Sequence, residues 1–408
     1  MRALLSTIGS RGDVQPLVAL GQALTSLGQE VRLCVPPDFR EWIDELGMPV
    51  VPIGPELRST GKGSLPETLT PEQRRQLIEG TVATQFATIA QAAQDCDVIV
   101  GATALQIAAP SIAEKMGIPY VFVSYCPAVL PSPRHAPPVL GWLGDKPVTM
   151  SDYSELWTKD AERWNGLWLP LLNAHRTTLG LAPVDDVRSH VLTDRPWLAS
   201  DPSLAPWPDV ESDTVFQTGA WIVRDERPLS DEIEAFLAAG DAPIYFGFGS
   251  IRATPDLARV MVESARAVGR RAILSRGWAE LTLPDDASDC LAIGEVNQQQ
   301  LFPRVAAVVH HGGAGTTTAA TRAGVPQVVV PQMYDQHYYA ARVNELGVGT
   351  AHAPGAATAE SLTIALERTL QGDVAERARG LAGAMRGDGA LVAARRVVAE
   401  QARFAASG

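Results

Sequence analysis

The sequence predicts an α/β protein of two doubly wound halves facing across a cleft, and three observations carry that prediction. Apolar strand-like runs alternate with amphipathic helical runs from the first residue, the pattern of a parallel sheet wrapped by helices. The alternation breaks in a stretch rich in proline and tryptophan, Trp197 to Trp221, and then restarts. At 408 residues the chain is also longer than one hydrophobic core usually serves. The boundaries that follow are a first half over 1–205, a linker over 206–225, a second half over 226–385 and a C-terminal helix over 386–408 that packs back on the first half.

In the first half, Arg2 to Ser6 reads as a buried strand, too short in its apolar run to be a secretory signal. A helix with Leu17, Leu20, Leu24 and Leu27 on one face follows and stops at Gly28. Val31–Val35, Asp97–Gly101 and Tyr120–Val123 are the next strands. Between Trp157 and Leu172, Lys159, Asp160, Glu162 and Arg163 interrupt the apolar residues, which predicts an amphipathic helix, with a membrane-surface helix as the minor alternative. Strands of the second half are Ile244–Phe248, Ala272–Leu274, Val305–Val309 and Gln327–Val330, and helices over Leu362–Leu370 and Ala390–Phe404 close the chain. Pro55–Pro71 and Cys126–Val148 carry Pro and Gly without periodicity and read as long loops.

Composition narrows the classes of function. A net charge of −12, from 34 basic and 46 acidic side chains, argues against a nucleic-acid or anionic-membrane surface, although not against a local basic pocket. No stretch has the length of a membrane span. Cys34, Cys96, Cys126 and Cys290 form no C-x-x-C pair, which fits a reduced, cytoplasmic setting. A monomer is expected.

In open parallel sheets ligands collect beyond the carboxyl ends of strands, so the segments leaving the strands hold the candidates. The most informative is His310-His311-Gly312-Gly313-Ala314-Gly315-Thr316-Thr317-Thr318, which follows a strand and opens a helix. Glycines there let a backbone approach an anion, and the free N–H groups of a helical first turn, together with its dipole, favour a phosphate. The run has neither the Gly-Lys-Ser/Thr ending of an ATPase loop nor G-x-G-x-x-G spacing, so a different phosphate-bearing ligand is expected.

After the first strand, Gly9-Ser10-Arg11-Gly12-Asp13-Val14-Gln15-Pro16 gathers a hydroxyl, a guanidinium and a carboxylate, with Pro16 suited to a first helical turn. Asp13 there is either an N-cap or, given its strand-end position, a general base. Phe246-Gly247-Phe248-Gly249-Ser250 is either a tight strand exit or a second anion-friendly turn. Arg276 and Trp278 offer a guanidinium and an indole that stack on heterocycles. Asp335 and Gln336 match vicinal sugar hydroxyls, or Asp335 caps a helix beginning near His337. Asp95-Cys96-Asp97 has the form of a metal-binding D-x-D, yet it precedes its strand and so falls at the wrong sheet edge; no metal site is expected.

With these motifs in place the chain resembles a GT-B-type, inverting, nucleotide-sugar-dependent glycosyltransferase of natural products, nearly end to end. The densest matches are Gly9–Pro16, Phe246–Ser250, Ser275–Trp278, Gly294–Asn297, His310–Thr317 and Pro331–Gln336. Gln217–Ile222, Asp225–Leu229 and Leu274–Trp278 bring it closest to bacterial enzymes that glycosylate vancomycin-group glycopeptides, while sterol glucosyltransferases share Gly9–Pro16.

The resemblance implies two Rossmann-like domains, the first binding acceptor and the second nucleotide-sugar, with no cofactor beyond a UDP-glucose or dTDP-sugar co-substrate. It implies that His311 and the turn Gly312, Gly313, Ala314, Gly315 and Thr316 hold the donor diphosphate, with Ser250 adding a hydroxyl and Ser10 and Arg11 closing from the other domain. Arg276, Trp278 and the Val296 backbone would border the base, and Asp335 and Gln336 would bind the sugar. Asp13 stands where related plant enzymes have a catalytic histidine, as in the antibiotic subgroup. The implied reaction is metal-independent hexose transfer to a hydroxyl of a large aglycone, a glycopeptide first, with polyketide, macrolide or sterol as alternatives. A dehydrogenase is the first rival, and the missing G-x-G-x-x-G argues against it; a sugar-nucleotide epimerase and a non-catalytic binding protein are the other two.

Overall fold

The computed structural model describes residues 1–60, 70–103, 105–139, 152–209, 213–250, 256–353 and 357–407. The chain forms two compact units: Met1–Asp201 with Pro206–Val223 and Arg386–Gly408, and Pro202–Ala205 with Arg224–Met385. In the first, β1 (Arg2–Ser6), β2 (Glu30–Val35), β3 (Val50–Pro52), β4 (Val98–Ala102), β5 (Tyr120–Ser124), β6 (Trp197–Leu198) and β7 (Phe216–Gln217) form one sheet in the order β3-β2-β1-β4-β5-β6-β7. In the second, β8 (Ile244–Gly247), β9 (Ala272–Ser275), β10 (Cys290–Ile293), β11 (Ala307–His310), β12 (Gln327–Val329) and β13 (Gly349–Ala351) stand in the order β10-β9-β8-β11-β12-β13. Every strand pair in both sheets is parallel.

Parallel sheets of this kind are covered on both faces, so their strands read as continuous apolar runs. The second sheet shows why. Ile244 and Phe246 enter one core cluster with Leu274 and Val309, whereas Tyr245, between them, enters another with Ile273 and Val308. Alternate residues of each strand thus serve opposite faces, and no position on β8 or β11 is left exposed.

The helix after β1 runs Arg11–Ser26, buries Val14, Leu17, Leu20 and Leu24, and ends with Gly28 at φ +74°. It starts earlier than expected, so Pro16 lies inside it, past the first turn. Past the first turn, Pro16 has no N–H to give the Gly12 carbonyl, so one intrahelical bond is missing there, and Asp13 is placed inside the first helical turn.

The segment 206–225 differs from the expected linker, because it supplies the last strand of the first sheet. Gln217 donates from Nε2 to the Ser200 carbonyl at 3.0 Å, and β7 is only two residues long, too short to leave a periodic signal. A Cβ on Gly389 would lie 2.5 Å from the Gly219 carbonyl oxygen, so the helix Gly389–Ser407 starts in direct backbone contact with this segment. Arg396 of that helix lies 5.0 Å over the Phe216 ring.

The Pro55–Pro71 and Cys126–Val148 segments lie partly outside the described residues; within them Leu57–Thr60 is a short helix and Pro127–Val129 a 3-10 turn. A helix follows at Pro71–Ala92, started by a Thr70/Gln73 capping box. The aromatic helix extends over Tyr153–Thr178, burying Trp157, Trp164, Trp168 and Leu172. Among the described residues no helix is long and apolar enough to cross a membrane.

Near the end of that helix Arg176, almost fully buried, donates to Glu114 at 2.7 Å, to Ser111 Oγ at 3.0 Å and to the Ala182 carbonyl at 2.8 Å. His190 shares Ser111 at 2.9 Å, and burial, then the Arg176 charge, push it down to about 4. Removing one partner of a buried, fully bonded charge leaves the others unpaired. Glu114 is half-exposed and regains water, but the Ser111 and Ala182 acceptors do not, so Arg176→Ala costs about 2 kcal/mol in urea unfolding, while Arg2→Ala, at a more exposed ion pair with Glu30, shifts the curve little. Equal shifts for the two variants would contradict this ranking.

Candidate active site

The order in which strands are added to the second sheet reverses between β8 and β11, so their following connections leave toward opposite sides and open a crevice at the strand ends. Four strand exits meet there through contacts that require glycine. A Cβ on Gly277, after β9, would fall 2.6 Å from the Gly249 carbonyl oxygen, and Trp278 N–H donates to that same oxygen at 3.0 Å. Gly249, after β8, lies against the His311 ring, and a Cβ on Gly313 would reach His311 Nε2 at 2.6 Å. On the far side, a Cβ on Gly312 would meet the Gln336 carbonyl oxygen at 3.0 Å and Val329 Cγ1 at 2.7 Å. Gly249, Gly277 and Gly312 all have positive φ, a conformation that side chains disfavour.

This packing presents the turn after β11. Gly313 is the extended N-cap of the helix Ala314–Arg322, and its carbonyl accepts from Thr317 N–H and Oγ. Helix geometry leaves the N–H groups of Ala314, Gly315 and Thr316 without intrahelical acceptors, directed outward with the positive end of the dipole. Burial pushes His311 down to about 4, against a raising contact with the Gly247 backbone, so its ring is neutral, and its buried Nδ1 has no partner in good hydrogen-bond geometry among the described residues. A buried polar atom without a partner is costly in a finished interior and suits a ligand site.

Gly312 corrects the expectation that the whole turn donates to phosphate. Its N–H is committed to His310 Nδ1 at 3.1 Å, so Gly312 shapes the turn and does not offer a donor.

The neighbouring exits hold the other candidates. Arg276 and Val296 line one cavity of about 370 Å³ together with Arg227, Glu295 and Asn297. Asn297 builds its wall, donating to the carbonyls of Asp225 (3.0 Å) and Arg227 (2.7 Å) while capping the turn at Gln300. Trp278 is not part of that lining; its backbone N–H ties the β9 exit to Gly249 at the β8 exit. Asp335 is the N-cap of the helix Gln336–Glu345, but its carboxylate makes no capping bond. Gln336 is buried, and its Oε1 accepts from Gln332 and Met333 N–H at 2.8 and 3.1 Å, which fixes the loop and commits that oxygen. Ser250 follows Gly249, half-buried, at the β8 exit.

In the first unit the strand order reverses between β1 and β4, and Asp13 sits just past the β1 end. Ser10 is the helix N-cap, so Asp13 is not. Its carboxylate lies so close to Gly9 that a Cβ there would be 2.0 Å from Oδ2. Burial raises the Asp13 carboxyl from 3.8 to about 6, against a lowering by hydrogen bonds from Ser10. The Ser10 hydroxyl is 3.4 Å from Oδ2, and the Tyr125 hydroxyl donates to the Asp13 carbonyl at 2.9 Å. Arg11 turns aside to stack 4.7 Å over Trp42.

Tyr125 lies outside every candidate segment, and Gly249, Gly277, Arg227 and Asn297 lie within such segments without a role of their own. Tyr125 stands at the end of β5, where the strand-exit rule reaches it; the glycine contacts and the cavity wall depend on tertiary approach. Asp97, of the rejected D-x-D, accepts from Arg2 N–H at 2.6 Å at the amino edge of the first sheet. Among the described residues no group of three His, Cys, Asp or Glu could hold a metal ion.

The glycosyltransferase family 28 N-terminal domain matches residues 3–131, and the erythromycin biosynthesis protein CIII-like C-terminal domain matches residues 282–393. A vancomycin aglycone glucosyltransferase of Amycolatopsis orientalis is 51% identical over 97% of this chain and 96% of its own length. The chain belongs to the vancomycin-group glycosyltransferases. A dTDP-epi-vancosaminyltransferase of the same organism is 43% identical over 93% of this chain and 92% of its own. A solved glycotransferase of kitacinnamycin, 20% identical, superposes with a TM-score of 0.73 over 98% of both chains. The fold of this glycosyltransferase is thus GT-B. The family 28 match contains Ser10, Asp13 and Tyr125, and the CIII-like match contains Val296, the 310–316 turn, Asp335 and Gln336.

The Asp13 environment has a stability consequence of definite sign. The folded enzyme binds the proton more tightly than the unfolded chain, so the penalty for ionised Asp13 is absent below about pH 4, grows between 4 and 6, and is full above 6. It is on the order of 3 kcal/mol. Asp13→Asn raises the melting temperature at pH 7.5, and the gain shrinks to nothing near pH 4. A difference that stays constant across that range would show that Asp13 carries no such penalty.

Proposed function

We propose that this glycosyltransferase moves a hexose from a UDP- or dTDP-sugar to a hydroxyl of a glycopeptide aglycone, with inversion and without a metal. The observation that carries the reading is the place of the half-buried Asp13 carboxylate, folded against Gly9 just past the β1 end at the switch point of the first sheet, where desolvation raises its pKa to about 6. A base that titrates close to working pH is mostly ionised at neutrality and still accepts a proton effectively.

In the proposed step Asp13 takes the proton from the acceptor hydroxyl as its oxygen bonds to the anomeric carbon. The bond from that carbon to the β-phosphate oxygen breaks, and the diphosphate leaves with the electron pair. Its charge is met by His311, the Ser250 and Thr316 hydroxyls and the N–H groups of Gly313 to Thr316. Donors fixed before the reaction stabilise that charge without reorganisation. Ser10 and Arg11 are proposed to contact the diphosphate, Arg276, Trp278 and Val296 to border the base, and Asp335 and Gln336 to bind the sugar.

The acceptor assignment rests on the vancomycin aglycone named for the 51%-identical relative. The hydroxylated hexose rests on the same relative's glucosyl activity, and dTDP on the name of the 43%-identical one. A phenol acceptor, with a pKa of about 10, suits a carboxylate better than an aliphatic alcohol does. Cytoplasmic placement and a monomeric state remain part of this proposal.

Asp13→Ala reduces transfer by at least about a thousandfold in a mass-spectrometric assay, with nucleotide affinity by calorimetry close to wild type; near-normal turnover would refute the base assignment. In wild type kcat/KM falls as pH drops through about 6, because protonated Asp13 cannot accept the hydroxyl proton. Activity persists in excess EDTA; its loss there, with recovery on adding a divalent cation, would overturn the metal-independent step. A panel of UDP- and dTDP-sugars against glycopeptide, macrolide, polyketide and sterol acceptors gives product with the glycopeptide aglycone, and product from another class alone would reassign the acceptor.

A further inference from the structure

His310 precedes the turn and is fully buried, with Gln327, Thr321 and Thr317 buried around it. These side chains form a hydrogen-bonded chain whose direction is fixed. Thr321 gives its hydroxyl proton to the Thr317 carbonyl at 2.8 Å, so its lone pair accepts from Gln327 Nε2 at 3.0 Å. Gln327 must then point Oε1 at His310 Nε2, 2.9 Å away. That nitrogen has to carry the proton, which leaves Nδ1 as an acceptor, and Gly312 N–H donates to it at 3.1 Å.

We propose that His310 is a positioning residue for the diphosphate turn: locked as the Nε2–H tautomer by Gln327 and Thr321, it holds Gly312 N–H and thereby aims His311 and the N–H groups of Ala314 to Thr316. This rests on the proposal that the turn binds the donor diphosphate. Gly312 lies at φ +94° between Val329 and the Gln336 backbone, and the hydrogen bond to His310 fixes how the chain leaves the strand. Burial pushes His310 down to about 3, with neighbouring His311 acting the same way, so the acceptor nitrogen stays unprotonated at working pH.

Two substitutions separate positioning from space filling. In Asn, Oδ1 stands where Nδ1 was and can still accept from Gly312; in Gln the polar end reaches toward Gln327 and leaves Gly312 without its acceptor. His310→Gln weakens dTDP and UDP binding by about tenfold or more, whereas His310→Asn stays within about threefold of wild type. Thymidine and uridine, which lack phosphate, bind both variants as they bind wild type, and that also shows the variants are folded. In nitrogen-15 NMR of the wild-type enzyme, His310 gives the neutral Nε2–H signature down to pH 5. If wild type binds neither diphosphate, the donor-site reading fails. If wild type binds and Gln is tolerated as well as Asn, or His310 shows the Nδ1–H tautomer, the assignment of His310 is overturned.

Discussion

The second unit depends on backbones meeting more closely than side chains allow. A Cβ at Gly277, Gly312 or Gly313 would collide at 2.6 to 2.7 Å with a neighbouring exit or ring, so the loops after β9, β8, β11 and β12 form one connected edge. The consequence is chemical as much as steric. An anion held by main-chain N–H groups needs those groups set before it arrives, and here each exit is held by the next.

Asp13 follows the same logic in the first unit. Absence of a side chain at Gly9 lets the carboxylate fold back against the chain, and burial there raises its pKa. The folded state is less stable for holding that charge, a cost that the proposed role of Asp13 as the base would account for. Tyr125 and Ser10 secure the backbone and the carboxylate without neutralising it.

Much of this was legible in the sequence because parallel strands buried on both faces leave continuous apolar runs, as at Val98–Ala102 and over Ala307, Val308 and Val309. The strand-exit rule made Asp13, Ser250, His311 and Asp335 candidates with no contact known, and each stands just past the end of a strand. It was less informative where the signal was tertiary. The two-residue β7 could not be read from periodicity, and the helix start at Arg11 was hidden by Pro16. Gly312 looked like one more phosphate donor because nothing in a glycine-rich run says which N–H faces inward. Its partner, His310, adjoins it in sequence, but Gln327 and Thr321, which fix that histidine, come from the next strand and the intervening helix.

The most direct test of the central claim is a crystal structure of the enzyme with dTDP or UDP bound. The diphosphate should lie within hydrogen-bond distance of His311 and the N–H groups of Ala314 to Thr316, the base beside Arg276 and Val296, and Gly312 N–H still on His310. A diphosphate bound elsewhere, or one that draws Gly312 N–H away from His310, would contradict the account.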